Sequence, residues 1–350
     1  MRILAIESSC DETAIALVNA RSGFLDLEKN KVYSQVDIHK KYGGVVPEVA
    51  ARKHLETIIP LLEDTLGKNK FKNIDYLAVT VGPGLVTSLL LGLTAAKTLA
   101  YANKLPLVAV NHLEGHIYSN WLASSELVKN SKKFFPALVL IVSGGHTELV
   151  LMKNHGQYQS LGQTLDDAAG EAYDKIAKLL SLGYPGGPIV SRLALGGQAA
   201  KYNLPRPMLT NANFDFSFSG LKTAVLYTLE KKKNVNKKDI ADICASFQEA
   251  VVEVLTTKAM RAAKKYQVKS VMLAGGVAAN KTLQAKLLEK SQSENLPFFC
   301  PAINYTGDNA AMMAVAAYYN VVSRHGKIFK NKDILKLEPQ ANWQLGENKI

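Results

Sequence analysis

The sequence predicts an α/β fold of two similar lobes, and two repeated patterns carry this prediction. Residues 2–18 contain an apolar run, a polar tip at 7–13 and a second apolar run, which is the pattern of a β-hairpin. Residues 136–152 repeat the pattern, with a polar tip at 143–148. Each half also has a strand followed by a glycine turn and a helix, at residues 76–84 and again at residues 270–280. We therefore expect two lobes built on the same plan.

The glycine turns indicate what the lobes bind. Glycine lets backbone amides come close to a ligand, and the N-terminus of the following helix favours an anion. One such turn alone is more often an ordinary strand-to-helix connection, and only the repetition of the turns indicates a binding site. The duplicated turns predict one phosphate-bearing ligand in a cleft between the lobes. Neither Gly-x-x-x-x-Gly-Lys-Ser/Thr nor Gly-x-Gly-x-x-Gly occurs, which speaks against P-loop and dinucleotide-binding folds.

Length and composition suggest how the chain is divided. Its 350 residues, 47% of them apolar, can bury a sizeable core in two domains or in one two-lobed unit. We expect an N-terminal lobe at residues 1–110, completed by about residues 326–350. We expect a C-terminal lobe, carrying the metal-binding and nucleotide-binding loops, at residues 111–325.

The expected location is the cytoplasm. The apolar stretch at the N-terminus reaches Glu7 after a few residues, which is too short for the core of a signal peptide. The most apolar later segment, residues 89–102, falls short of a bilayer span, so no membrane association is expected. Cys10, Cys244 and Cys300 are odd in number and far apart, which argues against a disulfide framework and a thiolate metal site.

The chain is strongly basic, since Lys and Arg exceed Asp and Glu by 42 − 30 = 12. The excess lies in short clusters, which suit a polyanionic partner but also suit solvated helix ends and loops. The charge alone therefore permits a nucleic-acid partner without requiring one. The clusters are Lys40-Lys41, Lys68 to Lys72, Lys132-Lys133, Lys231 to Lys233 and Lys237-Lys238.

A pair of histidines is the candidate metal site. His112 and His116 are one helical turn apart, so both rings can reach one ion from the same helix face. Leu113 stands where a His-Glu-x-x-His metalloprotease has its general base, which weakens a protease interpretation. Asp308, in a loop that enters a helix, is the best third ligand, although it could instead be a helix N-cap. Two histidines and a carboxylate suit Fe(II) and also Zn(II).

Further motifs carry a resemblance to a known family. They lie at residues 7–13, 42–48, 112–116, 142–147, 166–175, 184–188, 214–223, 274–280 and 306–309. With these motifs the chain resembles the tRNA N6-adenosine threonylcarbamoyltransferase family, formerly described as glycoproteases, from residue 1 to about residue 325. Residues 43–47 resemble the bacterial members. The repeated hairpins and turns also resemble the actin/sugar-kinase/heat-shock-ATPase superfamily, whose two lobes close on a nucleotide.

The resemblance implies a reaction and a set of site residues. The family transfers the threonylcarbamoyl group from threonylcarbamoyl-AMP to N6 of adenosine 37 in tRNAs that read codons beginning with A. It implies one divalent metal per subunit, with Fe(II) favoured, held by His112, His116 and Asp308. The implied substrate contacts are Ile141, Val142, Ser143, Gly144, Gly145, Asp174, Gly187 and Asn280.

Asp11 is the candidate catalytic carboxylate. It lies at the tip of the first hairpin, and from the opposite lobe it could position or deprotonate the attacking amine. The alternative is a turn residue that hydrogen-bonds its own backbone. Ser143 and His146 also permit a nucleophilic pair, but the adjacent glycines favour a phosphate-binding loop.

The resemblance also implies partners and leaves rival functions open. The implied partners are tRNA, a paralogous protein of the same fold and a small P-loop ATPase, while a separate synthase makes the donor. The rival functions are a metalloprotease, a non-catalytic nucleotide-binding scaffold, and a small-molecule carbamoyltransferase or kinase of the same fold.

Overall fold

The computed structural model describes residues 1–67, 71–232 and 234–347, which form two compact units. The first unit comprises Met1–Phe135, Met152–Gln159 and the residues from Pro301 onward. The second unit comprises Pro136–Leu151 and Ser160–Cys300. Lys68, Lys70 and Lys233 of the basic clusters lie outside the described residues.

A six-stranded mixed sheet forms the centre of the first unit. Its strands stand in the order β11-β5-β4-β1-β2-β3. In chain order they are β1 (Arg2–Glu7), β2 (Glu12–Arg21), β3 (Phe24–Ser34), β4 (Tyr76–Gly82), β5 (Leu107–Asn111) and β11 (Lys327–Phe329). The strand β1 pairs antiparallel with β2 and parallel with β4. Both central strands are apolar and almost fully buried, as expected for a sheet covered on both faces.

The described residues of this unit form six α-helices. They are α1 (Val36–His39), α2 (Pro47–Leu66), α3 (Val86–Ala102), α4 (His112–Ala123), α5 (Ser125–Asn130) and α11 (Ala310–Ser323). The helix α11 is apolar on all sides and buried along almost its whole length, because it packs against β1, β2 and α4. This packing brings residues from the two ends of the chain into one core.

The second unit is built on a five-stranded sheet with the strand order β10-β9-β6-β7-β8. Its strands are β6 (Ala137–Val142), β7 (Thr147–Asn154), β8 (Gln157–Gln163), β9 (Ser270–Ala274) and β10 (Phe298–Phe299). Its helices are α6 (Ala169–Leu179), α7 (Gly186–Ala194), α8 (Ser219–Glu230), α9 (Lys237–Lys265) and α10 (Lys281–Ser293). The core lies between this sheet and the long helix α9.

The repeated strand pattern of the sequence is present in both units. The first polar tip joins β1 to β2, and the second joins β6 to β7, its neighbour in the sheet. The first glycine turn follows β4 and leads to α3. The second follows β9 and leads through a short 3₁₀ turn, Gly276–Ala279, to α10.

The structure divides the chain differently from the predicted boundary after residue 110. That boundary falls inside the first unit, where β5 passes directly into α4. Residues 111–135 and 301–325, which the sequence assigned to the C-terminal lobe, lie in the first unit. The physical reason is the packing of α4 on α11, a contact between segments that are distant in sequence. Among the described residues, no helix is both long enough and apolar enough to cross a membrane.

An aromatic cluster packs between α4, α11 and the turn after β7. The rings of His155 and Tyr319 are stacked with their centroids 4.0 Å apart, and the Tyr118 hydroxyl lies 2.9 Å from Nδ1 of His155. Burial and the positive charge of Lys132 lower the pKa of His155 from 6.5 to about 4. The folded chain therefore holds this imidazole in its neutral form at neutral pH.

The low pKa of His155 predicts acid destabilisation of the first unit. Stability from the neutral imidazole is complete above pH 6.5 and is lost as the pH falls toward 4, because only the unfolded chain binds the proton readily in this window. The loss amounts to about 3 kcal/mol at most. Thermal melting of the wild type and of His155→Phe across this window should show a flatter pH profile for the variant. Parallel profiles would contradict the prediction.

Candidate functional site

The two candidate metal-binding histidines lie at the start of α4. The side chain of Asn111 caps this helix by accepting hydrogen bonds from the backbone N–H groups of Leu113 and Glu114, at 2.9 and 3.4 Å. His112 is therefore the first helical residue, and His116 follows one turn later on the same face. Their ring centroids are 4.6 Å apart, and both side chains are buried.

Asp308 lies opposite the two histidines, immediately before α11. Its Oδ1 atom is 3.1 Å from Nε2 of His116 and 3.6 Å from Nε2 of His112. The N-cap of α11 is Asn309, whose side chain accepts a hydrogen bond from the N–H of Met312 at 3.0 Å. Capping is thus carried out by the neighbouring residue, and the carboxylate of Asp308 faces the imidazoles.

The three side chains fit a divalent cation in both geometry and charge. Their ligand atoms all lie within 4.8 Å of one another. The buried ring nitrogens of His116 form no hydrogen bond with any residue that the structure describes. The approach of Asp308 Oδ1 to Nε2, at 3.1 Å, does not have the angles of a hydrogen bond. Burial opposes protonation of His112, but the carboxylates of Asp308 and Glu7 raise its pKa to about 9, so the cluster favours a positive charge at this point. Nitrogen and carboxylate ligands of this kind suit Fe(II) and Zn(II).

The ring of His112 is oriented from behind by residues of the first hairpin. Its Nδ1 atom lies 3.0 Å from Oγ of Ser9 and 3.3 Å from Oε2 of Glu7. Glu7 is fully buried and also accepts hydrogen bonds from the Ser9 N–H and the Thr80 hydroxyl. Burial raises the pKa of Glu7, and the neighbouring His112 lowers it. The net effect is a pKa below the usual value of a glutamate. These contacts leave Nε2 of His112 directed toward Asp308.

Removing the charge of Glu7 should weaken metal binding. In Glu7→Gln the amide keeps the size of the side chain but no longer accepts with both oxygens, so the ring of His112 loses part of its support. Outer partners of this kind contribute about 10-fold to 100-fold to metal affinity. The measurement is retention of metal during titration with a chelator. Glu148→Gln, which changes a carboxylate in the second unit, is the control, and equal retention by both variants would exclude this role for Glu7.

Glu114, which lies between the two histidines in sequence, faces away from them. Its carboxylate accepts hydrogen bonds from the Tyr158 hydroxyl and from the side-chain N–H of Asn320, both at 2.8 Å. Both oxygens are therefore used to tie α4 to α11 and to the start of β8. Since Leu113 has no acid–base function, α4 provides no carboxylate suited to the base of a metalloprotease.

Asp11 lies in the first unit together with the metal-ligand candidates, not in a separate lobe as expected from the sequence. It is buried at the hairpin tip, and its backbone oxygen accepts a hydrogen bond from the N–H of Gln35 at 3.1 Å. The preceding residue is also fixed, because the Cys10 carbonyl lies 2.9 Å from Nε2 of His54. Burial and the charges of Asp308 and Asp11 raise the pKa of Glu12 well above its usual value, which shows that these acidic groups are close neighbours.

The predicted phosphate-binding loop lies at the end of β6 in the second unit. Ile141 and Val142 are buried strand residues, and Ser143 closes the turn by donating its N–H to the carbonyl of His146 at 2.8 Å. Gly144 and Gly145 are exposed, and a side chain at either would meet no neighbouring atom. Their backbone amides are therefore accessible to a ligand.

Asp174 and Gly187 meet at the start of α7. The carboxylate of Asp174 accepts hydrogen bonds from the N–H groups of Gly186, at 2.6 Å, and of Gly187. Burial raises the pKa of Asp174, although these two bonds oppose the shift. Asp174 therefore holds the N-terminus of α7 in place, and the open space beside Gly187 leaves room for a ligand.

Asn280 is the N-cap of α10 and the centre of a buried polar network. Its Oδ1 accepts from the N–H of Leu283 at 3.0 Å, while its Nδ2 lies 3.0 Å from Ser191 Oγ and 2.9 Å from Gln248 Oε1. The turn before α10 packs closely against β6. A Cβ atom at Gly275 would lie 2.4 Å from the carbonyl oxygen of Val142, so this position requires glycine. The loop 141–145 and Asn280 are thereby fixed relative to each other.

Several residues that support these sites were not predicted from the sequence. Glu7 and Ser9 lie within the 7–13 motif, and a carboxylate at the end of a buried strand was a visible signal for the first of them. The residues around Asn280 come from three different helices, so no local pattern marks them. They are Tyr173, Ser191 and Gln248.

Comparison with solved structures identifies the fold. Two structures of HypF, one from T. kodakarensis and one in a phosphate- and nucleotide-bound form, match with TM-scores of 0.57 and 0.58 at 15% and 13% identity. They cover 93% and 92% of this chain, which spans about half of theirs, 48% and 55%. The activator of 2-hydroxyisocaproyl-CoA dehydratase from Clostridium difficile matches over 93% of this chain and 96% of its own, with a TM-score of 0.50 and 15% identity.

The fold is therefore actin/sugar-kinase/heat-shock-ATPase-like, as predicted, and the first unit also contains a candidate metal centre. Curated transferases from Dehalococcoides mccartyi BAV1, Bacillus cereus ATCC 14579 and Kosmotoga olearia are 50%, 52% and 51% identical to this chain. They cover 92%, 90% and 91% of it, and 94%, 90% and 93% of their own lengths. The profile of the TsaD family, tRNA N6-adenosine threonylcarbamoyltransferase, matches residues 26–315. The chain belongs to this family, which confirms the resemblance seen in the sequence.

Proposed function

We propose that this chain transfers the threonylcarbamoyl group from threonylcarbamoyl-AMP to N6 of adenosine 37 in tRNAs that read codons beginning with A. Relatives named for this transfer to tRNA adenosine share about half of its residues over nine tenths of its length. The observation that carries the proposal is the cluster of His112, His116 and Asp308, with Glu7 and Ser9 behind His112. A buried cluster of this kind provides the chemistry that a poorly nucleophilic amine requires.

We assign His112, His116 and Asp308 as ligands of one divalent cation, Fe(II) in preference to Zn(II). A bound ion with open positions supplies a Lewis acid for the carbamoyl carbonyl or for the leaving phosphate. The protein fixes this site from two directions, since Asn111 caps α4 and Asn309 caps α11. The three ligands are therefore held at the N-terminal ends of α4 and α11, two helices that pack against each other.

The second unit binds the donor in this proposal. Amides of Gly144 and Gly145 donate to phosphate or carbonyl oxygens, a form of stabilisation that becomes stronger as negative charge develops. Ser143 shapes this loop, because its N–H donates to the carbonyl of His146. The N-terminus of α7, which Asp174 fixes, and the turn around Asn280 hold the nucleoside. Because Asp174 and Asn280 use their side chains within the protein, their main contribution is to shape this pocket.

Asp11 positions the attacking amine and receives its proton. The N6 nitrogen attacks the carbamoyl carbon, the bond from that carbon to the AMP phosphate oxygen breaks, and AMP leaves with the electron pair. The nitrogen then loses one proton, which the carboxylate of Asp11 accepts. The hydrogen bonds of Cys10 to His54 and of Asp11 to Gln35 hold the hairpin tip in place for this step.

The partners and location follow from the family and are proposed here for this chain. The neighbouring helices α2 and α3 expose apolar side chains, with Leu55 66%, Ile59 52% and Val86 57% accessible. An apolar surface of this kind supports a paralogous partner of the same fold. A small P-loop ATPase completes the proposed assembly. The three cysteines are free, which supports a cytoplasmic location.

The test is transfer of labelled threonylcarbamoyl from its adenylate to an unmodified tRNA, using the purified protein with its proposed partners. The acceptor control is the same tRNA with guanosine in place of adenosine 37. Removal of metal followed by addition of Fe(II) or Zn(II) identifies the active ion. Label on the adenosine tRNA alone supports the proposal.

The rival functions give different results in the same experiment. A scaffold leaves both tRNAs unlabelled while still binding the donor, and a protease cleaves peptide in a metal-dependent way without labelling either tRNA. A small-molecule carbamoyltransferase or kinase transfers its group to a free metabolite. The orientation of Glu114 away from the histidines already disfavours the protease.

A further inference from the structure

A cavity of about 740 Å³ lies in the first unit, beside the aromatic cluster. It is formed by the turn between β2 and β3, the end of α5, the 3₁₀ turn that follows α5, the turn after β7 and the end of α11. Three lysines and two histidines lie around it. They are Lys129, Lys132, Lys133, His155 and His325, while Tyr319 forms part of its floor. Among the described residues that line the cavity, none is Asp or Glu.

In three of the other basic clusters, one lysine forms an ion pair with an aspartate. Lys40 pairs with Asp37, Lys232 with Asp239 and Lys238 with Asp242. Lys129, Lys132 and Lys133 are exposed, and none of them forms an ion pair with any residue that the structure describes. Within the described part of the chain, no ion pair therefore offsets their mutual repulsion. The positive charge of Lys132 also helps to lower the pKa of His155.

A concave surface with several unpaired cations and no carboxylate has the chemistry of a phosphate-binding site. Lysines bind phosphate through charge and without sequence information, so they suit the backbone of a nucleic acid. The cavity and the candidate metal centre are at opposite ends of α11. At the rise of an α-helix they are about 15 Å apart along its axis. One RNA molecule can therefore contact both.

We propose that this cavity binds backbone phosphates of the tRNA substrate through Lys129, Lys132 and Lys133. The inference rests on the proposed function, because that function identifies the nucleic acid as tRNA. It adds the surface to which the tRNA backbone binds. The site positions the tRNA without reading its sequence. Its contribution to affinity is therefore the same for all tRNAs that the enzyme modifies, and it decreases as salt increases.

The test compares Lys132→Ala/Lys133→Ala with a matched control, Lys330→Ala/Lys332→Ala. The control removes two exposed lysines from the same unit outside the cavity. Binding of a labelled unmodified tRNA is measured by fluorescence anisotropy at several salt concentrations. The cavity variant should bind about tenfold more weakly at moderate salt, and the slope of log affinity against log salt should decrease by between about one and two. The control should bind like the wild type.

Other outcomes overturn the proposal. Equal affinity and equal salt slope for the cavity variant and the wild type would show that tRNA does not occupy the cavity. If inorganic phosphate raises the melting temperature of the wild type but not of the cavity variant, while tRNA binding is unchanged, the site takes a small anion instead. A wild type that binds tRNA through these lysines without transferring the label would leave this inference intact and contradict the proposed function. Transfer with normal tRNA binding by the cavity variant would contradict this inference alone.

Discussion

The variant His112→Ala/His116→Ala is expected to lose at least about a thousandfold in transfer rate, because a Lewis-acid metal contributes several kcal/mol to such reactions. The change removes two of the three proposed ligands and leaves Asp308 with its neighbouring acidic groups. The purified variant should therefore also contain no bound metal. The measurements are single-turnover transfer and elemental analysis on the same preparation.

The second unit provides an internal control for this variant. The proposed phosphate-binding loop and the turn around Asn280 lie outside α4, so the variant should still bind the donor adenylate. Donor binding with no transfer would assign the histidines to the chemical step. Normal transfer by a metal-free variant would remove the metal from the mechanism.

The variant Asp11→Asn is expected to transfer the group about a hundredfold more slowly while keeping its metal. General acid–base groups typically contribute about 100-fold to 10,000-fold. The amide fills the same space and can still accept a hydrogen bond, but it cannot take up the proton of the amine. Metal content, donor affinity and transfer rate are measured together.

Glu12→Gln is a suitable control for Asp11→Asn, because Glu12 is an acidic neighbour whose Oε1 accepts a hydrogen bond from Ser34 at 2.9 Å. A glutamine can accept the same bond, so this variant should retain most of the activity. If the two variants are equally slow, the effect comes from the charge of the hairpin tip as a whole. If Asp11→Asn is fully active, Asp11 has no part in proton transfer.

The local parts of the fold could be predicted from the sequence, whereas the division of the chain could not. Alternating apolar runs and polar tips mark β1 with β2 and β6 with β7, because each pattern lies within about twenty residues. The division into units depends on α11 packing against α4 and β1. Glu114 and Asn320 form one of these contacts, and they are 206 positions apart. A long-range contact of this kind leaves no periodic pattern in the sequence.

The candidate metal site could likewise be predicted most directly where its residues are close together in the sequence. His112 and His116 could be identified together because their spacing matches one helical turn. Asp308 was the best third ligand in the sequence, but its surroundings also suggested an N-cap, a role that Asn309 fills. The orientation of Glu114 depends on partners in β8 and α11. The basic cavity likewise joins four separate segments, and only Lys132-Lys133 stood out among its residues in the sequence.

The discontinuous first unit has a consequence for how the protein is made. Asp308 leaves the ribosome about ten to forty seconds after His116, at ordinary rates of translation. By then the second unit, which ends at Cys300, is complete and free to fold, although it begins after most of the first unit. Until α11 emerges, β1, β2 and α4 lack the helix that covers them. The nascent chain therefore exposes apolar surface until α11 has been made, and the proposed metal site can form only after this helix has been synthesised.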